Sequence, residues 1–174
     1  MRLPLKAGLL LASVLVACHQ DNLSDVDKIR REVMLDEITG FAEARPLKTH
    51  TFCLAVSEDV PADIGVLDYE WKATLKDPPP ELMTVFQRLS LHRDAKVLPV
   101  SRCDRWFTTK APRVDTVPGP LLLVNNITFK DPNHATAQME IAPGIPFHSQ
   151  IVIYQLERRD SRWVITRHDL ISGG

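Results

Sequence analysis

Glycine is scarce in this chain, with seven residues in 174 and two of them at the C-terminus. No glycine-rich loop follows a strand-like run, so the backbone cradle that holds phosphate in nucleotide-binding proteins is not expected. No serine sits in a G-x-S-x-G elbow, and the cysteines never form C-x-x-C, which removes the signatures of a nucleophilic hydrolase and of a thiol redox enzyme. The six histidines, His19, His50, His92, His134, His148 and His168, never fall at H-x-x-x-H or H-x-H spacing. Neither a metal site nor a cofactor is therefore expected. Excess charge is also missing: 21 Lys and Arg stand against 22 Asp and Glu, and this balance carries no electrostatic footprint for nucleic acid. No internal repeat or low-complexity tract interrupts the sequence. Hydrophobic and charged fractions, 44% and 25%, are those of an ordinary globular protein.

What is present begins at the first residue. Arg2 and Lys6 form a basic start, and residues 7–17 then run without a charge. A bilayer span needs about 20 apolar residues, so this run is too short to remain as a transmembrane helix and reads as an export leader. It ends in Leu15-Val16-Ala17-Cys18. These four residues, placed directly after the apolar run, resemble the lipobox of bacterial lipoprotein precursors. An ordinary secretory cut before Cys18 would need a small residue where Leu15 stands, so Leu15 fits the lipobox better.

The resemblance implies cleavage before Cys18, a diacylglyceryl thioether on its sulfur and, in many bacteria, N-acylation with a fatty acid such as palmitate. Each buried methylene contributes about 0.8 kcal/mol and a single chain binds only marginally, so two or three chains make a stable membrane anchor. In Gram-negative lipoproteins Asp after the cysteine retains the protein in the inner membrane. His19 in that place implies the outer membrane, with the domain facing the periplasm. The chain then divides into a leader (1–17), a lipidated tether (18–23) and one globular domain (24–174), a length suited to a single core. Without Arg2 and Lys6 the remaining 19 basic and 22 acidic residues give a net charge of -3.

Assigning Cys18 to lipid leaves Cys53 and Cys103 as a pair. In an oxidising compartment such a pair is expected to be bonded, the other reading being two separate buried thiols. The Asn126-Ile127-Thr128 sequon is read as chance, because the lipobox places the chain in bacteria.

Along the domain, Ser24 and Asp27 form a capping-box start. Val26, Ile29, Val33, Met34, Ile38 and Phe41 follow at helical spacing to about Ala44, before Pro46 forbids more helix. Residues 51–56 read as a strand. Residues 58–77 are mixed, with Tyr69 and Trp71 suggesting a short extended piece. Pro80 suits a helix start, and Leu82, Val85, Phe86 and Leu89 predict a second helix ending near His92 or Arg93. Residues 97–102 read as a strand delivering Cys103 toward Cys53, and residues 110–120 as a loop. Residues 121–130 are strand-like and Asp131-Pro132-Asn133 is a turn. Ala135, Ala137, Met139 and Ile141 then alternate with Thr136, Gln138 and Glu140, the pattern of a half-buried strand. After a turn at 143–146, residues 150–157 and 163–168 form a hairpin around Arg159-Asp160-Ser161.

This order predicts an α+β domain, with two main helices packed on one face of a curved antiparallel sheet of about five to six strands. The run from Tyr154 through Arg158 and Arg159 to Trp163, Val164 and Ile165 resembles the closing hairpin of the cone-shaped nuclear transport factor and ketosteroid isomerase families. It is also similar to the C-terminal hairpin of envelope lipoproteins. The similarity covers the C-terminal part only, and the cone families place more helix before the first strand than this chain does.

A cone-shaped enzyme needs a carboxylate base and a donor for a developing oxyanion inside an apolar pocket. Asp68 with Tyr69, or Tyr154 with His168, are the residues of suitable type, but nothing links them except type, and ordinary strand tyrosines account for them better. Arg30-Arg31 and Arg158-Arg159 are of a type to meet an acidic partner, but read better as a solvated helix face and a hairpin end. No catalytic residue is assigned. The expectation is a lipid-anchored domain that binds a protein or an envelope component, as an immunity, inhibitor or assembly protein would. The alternative is a small-ligand carrier or enzyme with a cone-shaped apolar pocket.

Overall fold

The computed structural model describes residues 22–44, 50–57, 75–89, 91, 95–103, 117–142 and 150–173. The leader, Cys18, His19, Asp68, Tyr69, Trp71, His92, His148 and the turn at 143–146 lie outside them.

The first helix, α1, spans Asp25–Ala44. Its start is the predicted capping box: Ser24 Oγ accepts the Asp27 backbone N–H at 3.1 Å and donates to Asp27 Oδ2 at 2.7 Å. Ile29, Val33, Met34 and Ile38 are buried on its apolar stripe, and Ala42 extends that stripe toward the C-terminus. Arg30 is buried with them and only 7% exposed, which corrects the reading of Arg30-Arg31 as a solvated pair. Three and four residues before Val33 and Met34, position 30 shares their face, so its alkyl stem packs inward while Nη1 reaches Asp27 at 2.9 Å.

Six strands form one sheet in the order β2-β1-β3-β4-β5-β6. They are β1 (His50–Val56), β2 (Lys96–Pro99), β3 (Val117–Asp131), β4 (His134–Ala142), β5 (Gln150–Arg159) and β6 (Arg162–Gly173), and α2 (Pro80–Arg88) lies between β1 and β2. The expected all-antiparallel sheet is corrected to a mixed one, because β1 pairs in parallel with both β2 and β3. A parallel pair cannot be closed by a tight turn and needs a crossover, which α2 provides between β1 and β2. The remaining pairs are antiparallel, and β3–β4 and β5–β6 are joined by two-residue turns.

Lying between two neighbours, β1 is buried from Thr51 to Val56. Strands covered on both faces carry continuous apolar runs rather than alternation. One apolar cluster joins Ile29, Val33 and Ile38 of α1, Leu82 and Phe86 of α2, and Phe52, Leu122, Met139 and Tyr154 of the sheet. A second joins Cys53 and Ala55 to Leu121, Leu123, Val100 and Cys103.

Several boundaries move from their predicted places. α2 ends at Arg88 rather than near His92, because Leu89 adopts extended backbone and its N–H closes the last turn on Val85 O. The strand expected over 97–102 stops at Pro99. A 3-10 turn over Val100–Arg102 then delivers Cys103, whose Cα lies 6.2 Å from that of Cys53, at disulfide distance. β3 starts at Val117, inside the stretch read as a loop.

In the β5–β6 hairpin, Asp160 and Ser161 both take positive φ, 48° and 66°. This is what a two-residue primed turn demands and what a Cβ resists. A left-handed non-glycine residue costs about 1–2 kcal/mol, and glycine gives back about 0.5–1 kcal/mol in chain entropy. Ser161→Gly is therefore expected to stabilise the domain by up to about 1 kcal/mol, read as a higher urea midpoint with an unchanged slope.

Candidate functional site

Where the parallel strands end, the chain builds a cleft. β1 and β2 finish side by side, with Leu54 opposite Pro99. Val56 then exchanges two backbone hydrogen bonds with Lys76, each 3.0 Å. Asp77 is fixed next, accepting the Ser101 N–H at 2.8 Å and the Ser101 hydroxyl at 2.7 Å. Pro78, Pro79 and Pro80 lead from there into α2, and the first helical bond runs from Met83 N–H to Pro79 O at 3.0 Å. Val56, Lys76, Asp77, Pro78, Pro79, Pro80, Met83 and Pro99, with Arg30 from α1, line an open cleft of about 500 Å³. Four prolines, Val56 and Met83 make its wall largely apolar, while Arg30, Lys76 and Asp77 supply its charges. The N-cap position of α2 is Pro79, which makes no side-chain capping bond. Among the described residues, Asp27 is the partner of the Arg30 guanidinium, and the buried Nε has none.

A second group of polar side chains forms between α1 and the β5–β6 hairpin. Tyr154 and His168 face each other across the strands, with their rings edge to face and 5.5 Å between centroids. The structure thus brings together one of the two residue pairs named from sequence. Tyr154 is fully buried, and its hydroxyl donates to Glu37 Oε1 and, at 3.4 Å, to Asp36 Oδ2. His168 Nδ1 lies 3.5 Å from Asp36 Oδ2. Burial, opposed by the tyrosine hydrogen bond, raises the Glu37 carboxyl above its ordinary value of 4.5, and the charge of Asp36 adds to the rise. Burial and the two carboxylates hold the Tyr154 phenol well above its usual range, so it remains a donor.

The sign of the resulting pH dependence follows. A carboxyl raised in the folded state contributes stability that is complete below its unfolded value near 4.5 and is lost as pH rises through the raised value. Relative to Glu37→Gln, the wild-type domain should lose stability as pH climbs from 4.5 toward neutrality; parallel urea curves for the two proteins across that range would contradict this. Tyr154→Phe strips Glu37 of its donor and is expected to cost about 1–3 kcal/mol at neutral pH.

On the other face of the sheet, Asn125 and Gln138 are paired in register and both are buried, as is Glu140. The alternation of β4 had placed Gln138 and Glu140 in solvent; the second apolar cluster beside them shows why this is corrected, since this face too is covered. Asn126, at positive φ in a β-bulge of β3, donates its amide to Gln138 Oε1 at 3.2 Å. Among the described residues the Asn125 amide has no hydrogen-bond partner. Among the described residues no three His, Cys, Asp or Glu side chains gather as metal ligands would. His134 pairs with Asp131 at 2.9 Å beside the turn, and Arg158 reaches Asp25 at 3.2 Å, tying the last hairpin to the start of α1. No described helix is long and apolar enough to cross a membrane.

Sequence reasoning named Arg30 but read it as solvated, and it missed Glu37. The available signal was their position on α1: both border the apolar stripe, one before Val33 and one before Ile38. Comparison with protein-family models, with curated proteins and with solved structures finds no match to this chain.

Proposed function

We propose that this chain is a bacterial envelope lipoprotein, cut before Cys18 and held on the membrane by lipid on that residue, whose domain acts by binding rather than catalysis. The observation that carries the reading is the disposition of the three cysteines. Cys53 and Cys103 stand at disulfide distance, which suits an oxidising compartment. Cys18 remains over and follows the charge-free run 7–17 at the lipobox position. The tether holds the domain on the periplasmic side of the outer membrane, where its partner is a protein or an envelope component. Both helices are read as sharing one face of the sheet, supported by the single apolar cluster to which they contribute.

A second reading, an enzyme or small-ligand carrier with a cone-shaped pocket, is favoured by the meeting of Tyr154, His168 and Glu37. Against it, the Tyr154 ring belongs to the filled core and its hydroxyl is committed to Glu37. Cys18→Ser decides the anchor. The variant should appear in the soluble fraction, and mass spectrometry of the natural N-terminal peptide should show acyl chains on Cys18. Unchanged membrane retention, or a bare N-terminal peptide, would overturn the reading.

A further inference from the structure

We propose that the outer edge of β6 pairs with the same edge of a second copy of this chain, antiparallel and about a two-fold axis at His168, so that one sheet runs through both copies. This goes beyond the binding reading above and does not depend on the lipid anchor.

The two edges of the sheet differ. β2 is four residues long, ends at Pro99, which has no N–H to offer, and passes into the 3-10 turn. β6 runs for twelve residues, and among the described residues it pairs with β5 alone. Such an edge presents a row of N–H and C=O groups to any strand of matching pattern. Its side chains are open as well: Leu170 and Ile171 are 61% and 65% exposed.

Charge selects both the occupant and the register. Arg167 and Asp169 share one face of the strand, where Arg167 Nε lies 2.8 Å from Asp169 Oδ2. Ile165, His168 and Leu170 share the other face, because their partners Leu156, Tyr154 and Val152 alternate along β5 while the ladder skips Thr166 and Ile171 in bulges. An axis at His168 sets Arg167 of each copy against Asp169 of the other, two opposite-charge pairs on one face. With Thr166 out of the ladder, Ile165 of each copy meets Leu170 of the other on the opposite face, which covers the exposed Leu170. The two His168 rings meet at the axis, each with Asp36 Oδ2 3.5 Å away as counter-charge. Neighbouring registers fail. An axis at Arg167 or at Asp169 sets like charges directly opposite, and an axis between residues opposes side chains of different faces. Charges and bulges also serve to blunt an edge. A blunting set repels its own copy, whereas this one attracts it.

The test is the oligomeric state of the full chain in a density-matched neutral detergent, read by sedimentation equilibrium over a range of protein concentrations. The wild-type chain should be a dimer in equilibrium with monomer. Arg167→Asp and Asp169→Arg, both at solvent-accessible positions, each turn two attractive pairs into repulsive ones and should weaken the dimer about tenfold or more. Combining the two substitutions restores opposite charges in the same register and should recover wild-type association. As a second measurement, His168→Cys places a thiol at the axis, its Cβ about 4.5–5.5 Å from that of the second copy. Oxidation should join this variant into a covalent dimer and should leave Val164→Cys, which lies far from its own copy in this register, unlinked. A wild-type chain that stays monomeric at every concentration overturns the proposal and leaves the edge to a strand of another protein. Dimers that ignore the single reversals, or a double variant no better than the single ones, place the contact elsewhere and overturn it as well. None of these readouts involves membrane retention, so this inference and the lipid anchor fail separately.

Discussion

Reducing the Cys53–Cys103 pair is expected to lower the unfolding free energy by about 4 kcal/mol, the chain-entropy value for a loop of this length. The two residues are 50 apart in sequence, and the chain between them contains α2 and β2. Releasing the link frees the unfolded chain to explore far more conformations, while the folded contacts stay in place. For a domain of this size each kcal/mol moves the melting temperature by about 2–4 °C, so the fall should be near 10 °C. Calorimetry with and without a phosphine reductant measures it, and a thiol titration of the untreated mature domain should find neither cysteine reactive. Coincident melting curves would show that the loop is held by other means.

Phe52→Ala should cost about 3–5 kcal/mol, the range for removing a buried aromatic side chain. Phe52 is fully buried in the middle of β1, with its ring edge to face against Phe41 of α1 and 5.5 Å between centroids. β1 is hydrogen-bonded on both sides, so the backbone cannot close on the void. Phe52→Leu retains most of the volume and should lose about 1.5 kcal/mol or less. Urea denaturation of the two variants separates the readings: similar losses would mean that the site collapses freely, contrary to the paired geometry of β1.

Much of the fold was legible because its signals are local. Ser24 and Asp27 marked the start of α1, and Pro46 bounded its end, since capping and proline act within a few residues. Arg159-Asp160-Ser161 marked the last hairpin for the same reason. The mixed topology was not legible as such. The continuous run from Phe52 to Val56, and that from Leu121 to Val124, carried the mark of strands buried on both faces, but neither says in which direction its neighbours run. The alternation in β4 was sound as a strand signal and misleading as a solvent signal. Gln138 and Glu140 are polar by type and buried by what covers them, which no period-two pattern can register.

The candidate sites divide along the same line. Tyr154 and His168 could be named from sequence as residue types. Their meeting across a hairpin, and the arrival of Asp36 and Glu37 from a helix 117 residues earlier in the chain, required the fold. Arg30 was read as solvated because charge is the stronger cue in isolation; the helical face it shares with Val33 and Met34 carried the opposite message.

By itself the sequence determined the helices, the hairpins and the cysteine arithmetic, because capping, turn chemistry and hydrophobic period are short-range properties of the chain. Only the tertiary structure decided which strands lie side by side and in which direction, and which charges lose contact with water. Those outcomes depend on contacts between residues far apart in the chain, and burial is a property of the neighbours a side chain acquires rather than of the side chain alone.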